Sequence, residues 1–460
     1  MPTSIALFTR DLRVHDNPVL RAACQADHVV PLFVVDPGIA RAGFAAPNRA
    51  VFLADCLADL DANLRDRGGR LVVRRGEVVE QVREVADQVG ADTVHVADDV
   101  SGYAQRRLRG LREMLERGGR ELVAHDPVVT ALAPGDVTPS GKSKDHFAVF
   151  TPYHRQWEQR RHAQASAAPR SVSLPRIAAG SVPGAADLGA PDGPDATDLP
   201  KGGESEGRER LTAWVREVEH YDEQQDRLTT DGTSRLSPYL HFGCLSATEV
   251  AQRVGTDSAG AAGFVRQLAW RDFHHQVLAA RPRAAREDYR TRDDRWRRGE
   301  AAERDFEAWR QGRTGYPIVD AGLRQLLAQG WMHNRARLIT GSFLTKTLYL
   351  DWRWGAEHFL AHLVDGDVAN NQLNWQWVAG TGTDTRPNRV LNPLAQAKKL
   401  DPDGAYVRRW VPELADVAGS RVHEPWKLAE SMRTTLDYPD PIVDLDEAGE
   451  RFRAARGLDR

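Results

Sequence analysis

Along this chain the hydrophobic period changes once. Before about Ala163, short β-branched runs at Ile5 to Phe8, Val29 to Val35, Leu71 to Val73, Val94 to Val96 and Glu121 to Ala124 alternate with helical spacing over Arg49 to Arg65, Val78 to Val89 and Ala104 to Glu116. That rhythm is the βαβ unit of an open parallel sheet. From Ala163 to Gly207 the sequence turns rich in Ala, Pro, Gly, Ser and Asp and loses its period, as a connector does. Beyond it the spacing is helical almost throughout: Arg208 to Glu219, Ala247 to Arg253, Ala261 to Ala280, Ala302 to Gln311, Ile318 to Gln329, Arg335 to Thr347 and Ala356 to Val364. The expected architecture is an α/β N-terminal domain with a doubly wound parallel sheet (residues 1–130), an interdomain connector (131–207) and an all-helical C-terminal domain (208–460), with no internal repeat.

A chain of 460 residues is long enough for two such cores. Its 41% hydrophobic and 28% charged content suits a globular protein, and no apolar run approaches the roughly 18 residues that span a bilayer. Met1 leads through Pro2, Thr3 and Ser4 into an apolar run with no basic region or small-residue cleavage site, so secretion is not expected. Cys24, Cys56 and Cys244 are odd in number and far apart, which excludes a disulfide framework and a zinc spacing and suits a reducing cytoplasm. The net charge of -3 announces no nucleic acid, so any DNA affinity must come from a local basic patch.

The residues beyond the connector carry more specific chemistry. Thr233-Ser234-Arg235-Leu236-Ser237-Pro238 sets three hydroxyls and a guanidinium before a helix expected to start at Pro238 with Ser237 as its cap. A bare cap explains part of this; a cradle for a diphosphate explains all of it, because helix-start N–H groups, hydroxyls and Arg favour anionic oxygens. Tyr221 joins that constellation if the fold brings it near. Asp365-Gly366-Asp367-Val368-Ala369-Asn370-Asn371 is no calcium loop, since Gly follows the first Asp and Gln376 stands where the bidentate Glu is needed. Its carboxylates and carboxamides suit a turn or recognition of a heterocycle, with Asp365 neutralised by an Arg such as Arg337. His333 and the adjacent His274 and His275 have no metal-ligand spacing, so no metal site is expected. Of the twelve tryptophans, all but Trp157 and Trp214 lie from Trp270 onward; Trp most often fills cores, but this crowding asks for a further reason.

These stretches occur in one order: Tyr221-Asp222-Glu223-Gln224-Gln225, Gly232 to Ser237, Trp270-Arg271-Asp272-Phe273, Thr314 to Asp320, Trp331-Met332-His333-Asn334-Arg335, Asp351-Trp352, Asp365-Gly366-Asp367, Asn374-Trp375-Gln376-Trp377, Gly382-Thr383-Asp384 and His423 to Lys427. With the opening Phe8 to Asn17, the series resembles the motif order of class I DNA photolyases over essentially the whole chain. The resemblance implies a light-driven carbon–carbon lyase that splits cyclobutane pyrimidine dimers in DNA by electron transfer, acting as a monomer without an obligate protein partner. It also explains why no acid–base dyad stands out.

In that family the helical domain holds FAD, active when reduced, with its diphosphate on the segment matching Thr233, Ser234, Arg235, Leu236 and Ser237. Tyr221 matches the phosphate-side tyrosine. Arg271, Asn334 and Arg337 match cofactor-contacting positions, and Asp365 and Asp367 the aspartates around the isoalloxazine and ribityl chain. Asn371 matches the position facing the redox-active flavin nitrogen, where plant cryptochromes have Asp and animal ones Cys. Photolyases as a class flip their target base out of the duplex. Trp270 and Trp377 match the aromatic walls of the receiving pocket, Arg335 the phosphate-facing arginine, and Gln267, Asn334 and Leu338 other dimer-side positions. Trp375, Trp352 and Trp296 match the hopping chain that reduces the flavin under light.

The sequence departs from the family pattern at two of these positions. Gln267 stands where cyclobutane-dimer enzymes commonly have Glu and where 6-4 photolyases have Gln. The 6-4 enzymes, however, use two histidines where this chain has Asn334 and Leu338, the latter replacing a usual Met of similar volume. In the N-terminal domain, Phe33 to Ile39 with Asp36, together with Arg49, resembles antenna sites for an 8-hydroxy-deazaflavin more than those for methenyltetrahydrofolate, the alternative; His241 stands where deazaflavin enzymes can have Lys. A signalling cryptochrome would be expected to carry a long C-terminal extension, whereas this sequence runs only to Arg460 after Trp426. A non-catalytic flavoprotein would be expected to lack the pocket aromatics.

Overall fold

In the computed structural model, which describes residues 2–126, 128–140, 145–160, 164–190 and 192–458, the expected strands form β1 (Thr3–Phe8), β2 (His28–Val35), β3 (Val72–Arg75), β4 (Thr93–Ala97) and β5 (Glu121–His125). Residues 141–144, 161–163 and 191 of the expected connector lie outside the described residues. All four strand pairs are parallel, in the order β3-β2-β1-β4-β5. Every residue of β1 is buried, as a central parallel strand covered on both faces requires.

Because side chains alternate along a strand, β1 feeds two cores. Ile5 and Leu7 pack with Val30, Leu32, Val82 and Leu111 on one face. Ala6 and Phe8 face the other way, into a cluster that runs through Phe52 and Leu57 to Phe242, Leu268 and Phe273 of the helical part. The sheet and the helical part therefore share one apolar core; Phe52 and Phe242 meet across it with ring centroids 5.1 Å apart. A separate core lies wholly among helices around Trp309, Phe343, Trp352, Phe359 and Trp375.

The helices that carry the site are Ser237–His241, Ala259–Ala280, Asn334–Ser342, Trp352–His362 and Val368–Ala379. The helix expected over Arg335 to Thr347 is not uniform. It runs α-helical to Ser342 and then widens into a π-turn, Phe343–Thr347, in which the Leu348 N–H bonds Phe343 O at 2.8 Å. Thr345 Oγ1 donates to Gly341 O at 2.8 Å, a side-chain competitor for the backbone ladder at that point. The expected connector contains the helix Phe150–Gln159 ahead of its Ala-, Pro- and Gly-rich stretch, and the buried Phe150, Tyr153 and Trp157 lie on one face of that helix. Its later stretch lies along the sheet domain, with Val29 N–H bonding Ser173 O and Val73 N–H bonding Ala179 O.

Candidate functional site

The chain enters the short helix Ser237–His241 through a strained residue: Arg235 has φ of 51°, a left-handed conformation that non-glycine residues rarely hold. Leu236 already has near-helical dihedrals (φ -82°, ψ -7°), so Ser237 is the first helical residue and not the expected cap. Its hydroxyl accepts from Trp331 Nε1 at 3.3 Å instead. Ser234 Oγ accepts from Leu236 N, and Thr233 Oγ1 is buried with no hydrogen-bond partner among the described residues. The Arg235 guanidinium lies 4.5 Å over the Trp331 ring and bonds Asp231. Tyr221 packs edge-on to Trp214 and Phe264 on the adjoining helix, and burial pushes its phenol up to about 12.

Two carboxylates stand opposite in role. Asp365 Oδ2 accepts from Arg337 Nη2 at 2.8 Å, the pairing expected from the sequence, while Asp365 Oδ1 is buried with no hydrogen-bond partner among the described residues. Asp367 caps the helix Val368–Ala379, accepting from Asn370 N at 2.9 Å. Its other oxygen accepts from Arg10 at 2.6 Å, with His275 Nε2 at 3.4 Å and Arg271 Nη2 at 3.6 Å. Despite burial, these partners hold Asp367 well below the usual carboxylate range. Arg10 comes from the turn after β1 and also binds Asp99, after β4, at 2.8 Å. The network thus sits where β1 and β4 diverge, the switch point at which doubly wound sheets open a crevice. Sequence reasoning gave Arg10, Asp99 and His275 no role; only the position of Arg10 directly after a strand hinted at one.

Asn371 is buried, and its amide donates to Ala356 O and Gln372 Oε1, both at 3.1 Å. One turn further, Trp375 rests on Gly355, where a Cβ would come within 2.2 Å of its ring. It meets Phe359 at 4.9 Å and Trp309 at 6.1 Å between centroids. Trp352 is fully buried in the same cluster, donating Nε1 to Asp288 Oδ1 at 2.8 Å with Arg353 over its ring. Trp296 borders the cluster, half-buried beside Tyr349.

Of the expected DNA-side residues, Arg335, Leu338 and Trp377 line one surface pocket, together with Lys346, Asp384, Arg389 and Leu391. Arg335 pairs with Asp226, and Asn334 is exposed at the helix start. Trp270 is stacked on Phe150 at 3.7 Å and 7°, so one face of the indole is covered by the connector helix. Phe150 was missed, although its spacing with Tyr153 and Trp157 is helical. Gln267 is exposed, and its amide donates to Gly263 O of its own helix. Arg271 donates to Val129 O and Leu240 O, so much of its guanidinium ties elements together.

Of the expected antenna residues, Phe33 is buried near the end of β2. Asp36 caps the helix Pro37–Arg41 through Gly38 N and accepts from the Tyr103 hydroxyl. Arg49 points elsewhere: its guanidinium donates to the carbonyls of Leu360, Leu363 and Phe44, closing the end of the helix Trp352–His362. Among the described residues no helix is long and apolar enough to cross a membrane.

A parallel sheet domain bridged by ion pairs at its switch point to a helical domain that gathers hydroxyls, arginines, carboxylates and a tryptophan cluster is an arrangement that the comparisons place among flavin-binding photochemical proteins. The DNA photolyase family model matches residues 4–171, and the model for the FAD binding domain of DNA photolyase matches residues 264–457. The chain is 59% identical to the deoxyribodipyrimidine photo-lyase of Streptomyces griseus, covering 100% of each. It is also similar to the structure of a bacterial class III photolyase from Agrobacterium tumefaciens (TM-score 0.90, 31% identity, 100% of this chain and 98% of that one). The cryptochrome of Synechocystis sp. PCC6803 matches equally in shape (TM-score 0.90, 28% identity, 99% of each). The chain belongs to the DNA photolyase family.

Proposed function

We propose that this chain repairs cyclobutane pyrimidine dimers in DNA under blue light, using FAD. The observation that carries the reading is Asn371 set against the Trp352 and Trp375 cluster, together with a pocket lined by Trp377, Arg335, Lys346 and Arg389, in a chain 59% identical to a deoxyribodipyrimidine photo-lyase. The residues fit the cofactor: Thr233 Oγ1 and Asp365 Oδ1 are buried polar atoms awaiting partners, and Arg235 and Arg337 are cations suited to an anionic dinucleotide. When bound and reduced, FAD would supply redox-neutral one-electron chemistry, an electron lent to the dimer and returned once the ring has opened.

The chain's own residues do the rest. Thr233, Ser234, Arg235, Leu236 and Ser237, with Tyr221, hold the diphosphate; Asp365, Asp367, Arg271, Asn334 and Arg337 orient the flavin. Asn371, a neutral amide, would support the reduced flavin's negative charge, which a carboxylate in its place would repel. Trp375, Trp352 and Trp296 carry electrons inward from the surface in the light. Trp270 and Trp377 wall the dimer, Arg335 faces its phosphate, and Gln267 and Leu338 touch its bases. For the antenna we propose an 8-hydroxy-deazaflavin near Phe33 and Asp36, with methenyltetrahydrofolate as the alternative. The function is tested by giving the photoreduced protein irradiated oligothymidylate under blue light and in the dark: dimers disappear only in the light, and persistence in both overturns the reading.

A further inference from the structure

The segment from Asp384 to Leu391 has no regular structure, yet it lines the same pocket as Arg335, Leu338 and Trp377. It carries Arg386 and Arg389, both exposed, and neither guanidinium bonds another described residue. A loop that presents free cations at a defined place needs its backbone fixed by something other than a helix or sheet. Here the fixing group is Lys346. Its side chain is 2% exposed, and its ammonium donates to Pro387 O at 3.0 Å and also to Arg389 O. Ser342 Oγ adds one bond, accepting from Leu391 N at 3.0 Å. Gly380 lets Pro387 O approach to where its Cβ would stand, at 2.2 Å.

Lys346 lies in the π-turn Phe343–Thr347, and the wider turn is a feature often retained at functional sites. Burying an ammonium is costly, and here the hydrogen bonds that offset the cost go to two carbonyls of one loop. Burial pushes it down to about 7, with Asp384 opposing that shift and Arg456, Arg389 and Arg292 adding to it.

We infer that Lys346 is a positioning residue for DNA binding, which clamps the loop so that Arg389 meets a phosphate beside the pocket. This rests on the dimer-repair reading above. The test is a double-mutant cycle on the full-length flavoprotein with Lys346→Met, Arg389→Ala and the pair. Each is titrated in the dark with an oligonucleotide bearing one cyclobutane thymine dimer, across a salt series, alongside the undamaged strand. Each single variant should bind about tenfold more weakly and lose roughly one unit of salt slope. The pair should be no weaker than the weaker single, because both remove one contact. Lys346→Arg, which keeps a donating cation, should recover part of the affinity and the slope, and bound flavin should match wild type in all four. A pair whose losses multiply to about a hundredfold, or an unchanged slope in Lys346→Met, overturns the clamp. Wild type that does not prefer the dimer strand instead overturns the functional reading beneath it.

Discussion

Replacing Arg10 by Met tests whether the cation between sheet and helical domain holds the site together. Asp367 is 2% exposed and Asp99 7%, and Arg10 is the nearest cation to both. Removing one partner of a buried pair costs roughly 3–5 kcal/mol. The Arg10 side chain is 27% exposed, and Arg271 and His275 remain near Asp367, so the lower end applies, about 3 kcal/mol. The pH dependence follows from the direction of the shifts. Arg10 helps hold Asp99 and Asp367 below the ordinary range, so their contribution is present above the unfolded carboxylate value and is lost as pH falls through the folded one. In Arg10→Met that depression shrinks. The deficit relative to wild type is therefore greatest near neutral pH and closes as pH falls below about 4. Urea unfolding followed by far-UV circular dichroism near pH 7.5 and near pH 3 measures both. A deficit below about 1 kcal/mol at neutral pH, or an equal deficit at both, would refute the reasoning.

Other variants separate the remaining roles. Trp352→Phe is expected to stop light-driven reduction of oxidised flavin yet leave repair intact after chemical reduction; equal repair failure in both states removes Trp352 from the chain of electron carriers. Phe150→Leu removes the ring behind Trp270, a contact worth roughly 0.5–1.5 kcal/mol, and should weaken dimer binding up to about tenfold with flavin content kept; loss of flavin without loss of dimer affinity contradicts it. Asp365→Ala deletes the partner of Arg337 and should purify folded but largely free of FAD, as read from its visible absorption; full occupancy excludes Asp365 from the site.

The strands were legible because parallel β1 and β2 are continuous apolar runs, and the helices because their faces repeat; boundaries moved by a few residues where caps decided them. Ser237 was misjudged as a cap because the strained turn at Arg235 starts the helix early, which no side-chain pattern reveals. The Arg337 and Asp365 pairing was legible from charge and order. Arg10, Phe150 and Lys346 were not: each acts across more than thirty residues of chain, through Asp367, Trp270 and the carbonyls of Pro387 and Arg389, and only the folded topology makes those contacts. The guanidinium of Arg49 illustrates the converse, since a residue singled out for the antenna is held by the end of a helix in the other domain.

The lesion itself gives the most direct test. Gln267 can both donate to and accept from a pyrimidine, whereas Asn334 and Leu338 cannot supply an imidazole proton for 6-4 chemistry. Photoreduced protein, given each purified lesion in a separate oligonucleotide under blue light, should restore thymines from the cyclobutane dimer and leave the 6-4 photoproduct unchanged when both are followed by chromatography. Repair of the 6-4 lesion alone, or of the cyclobutane dimer equally in the dark, would contradict the account.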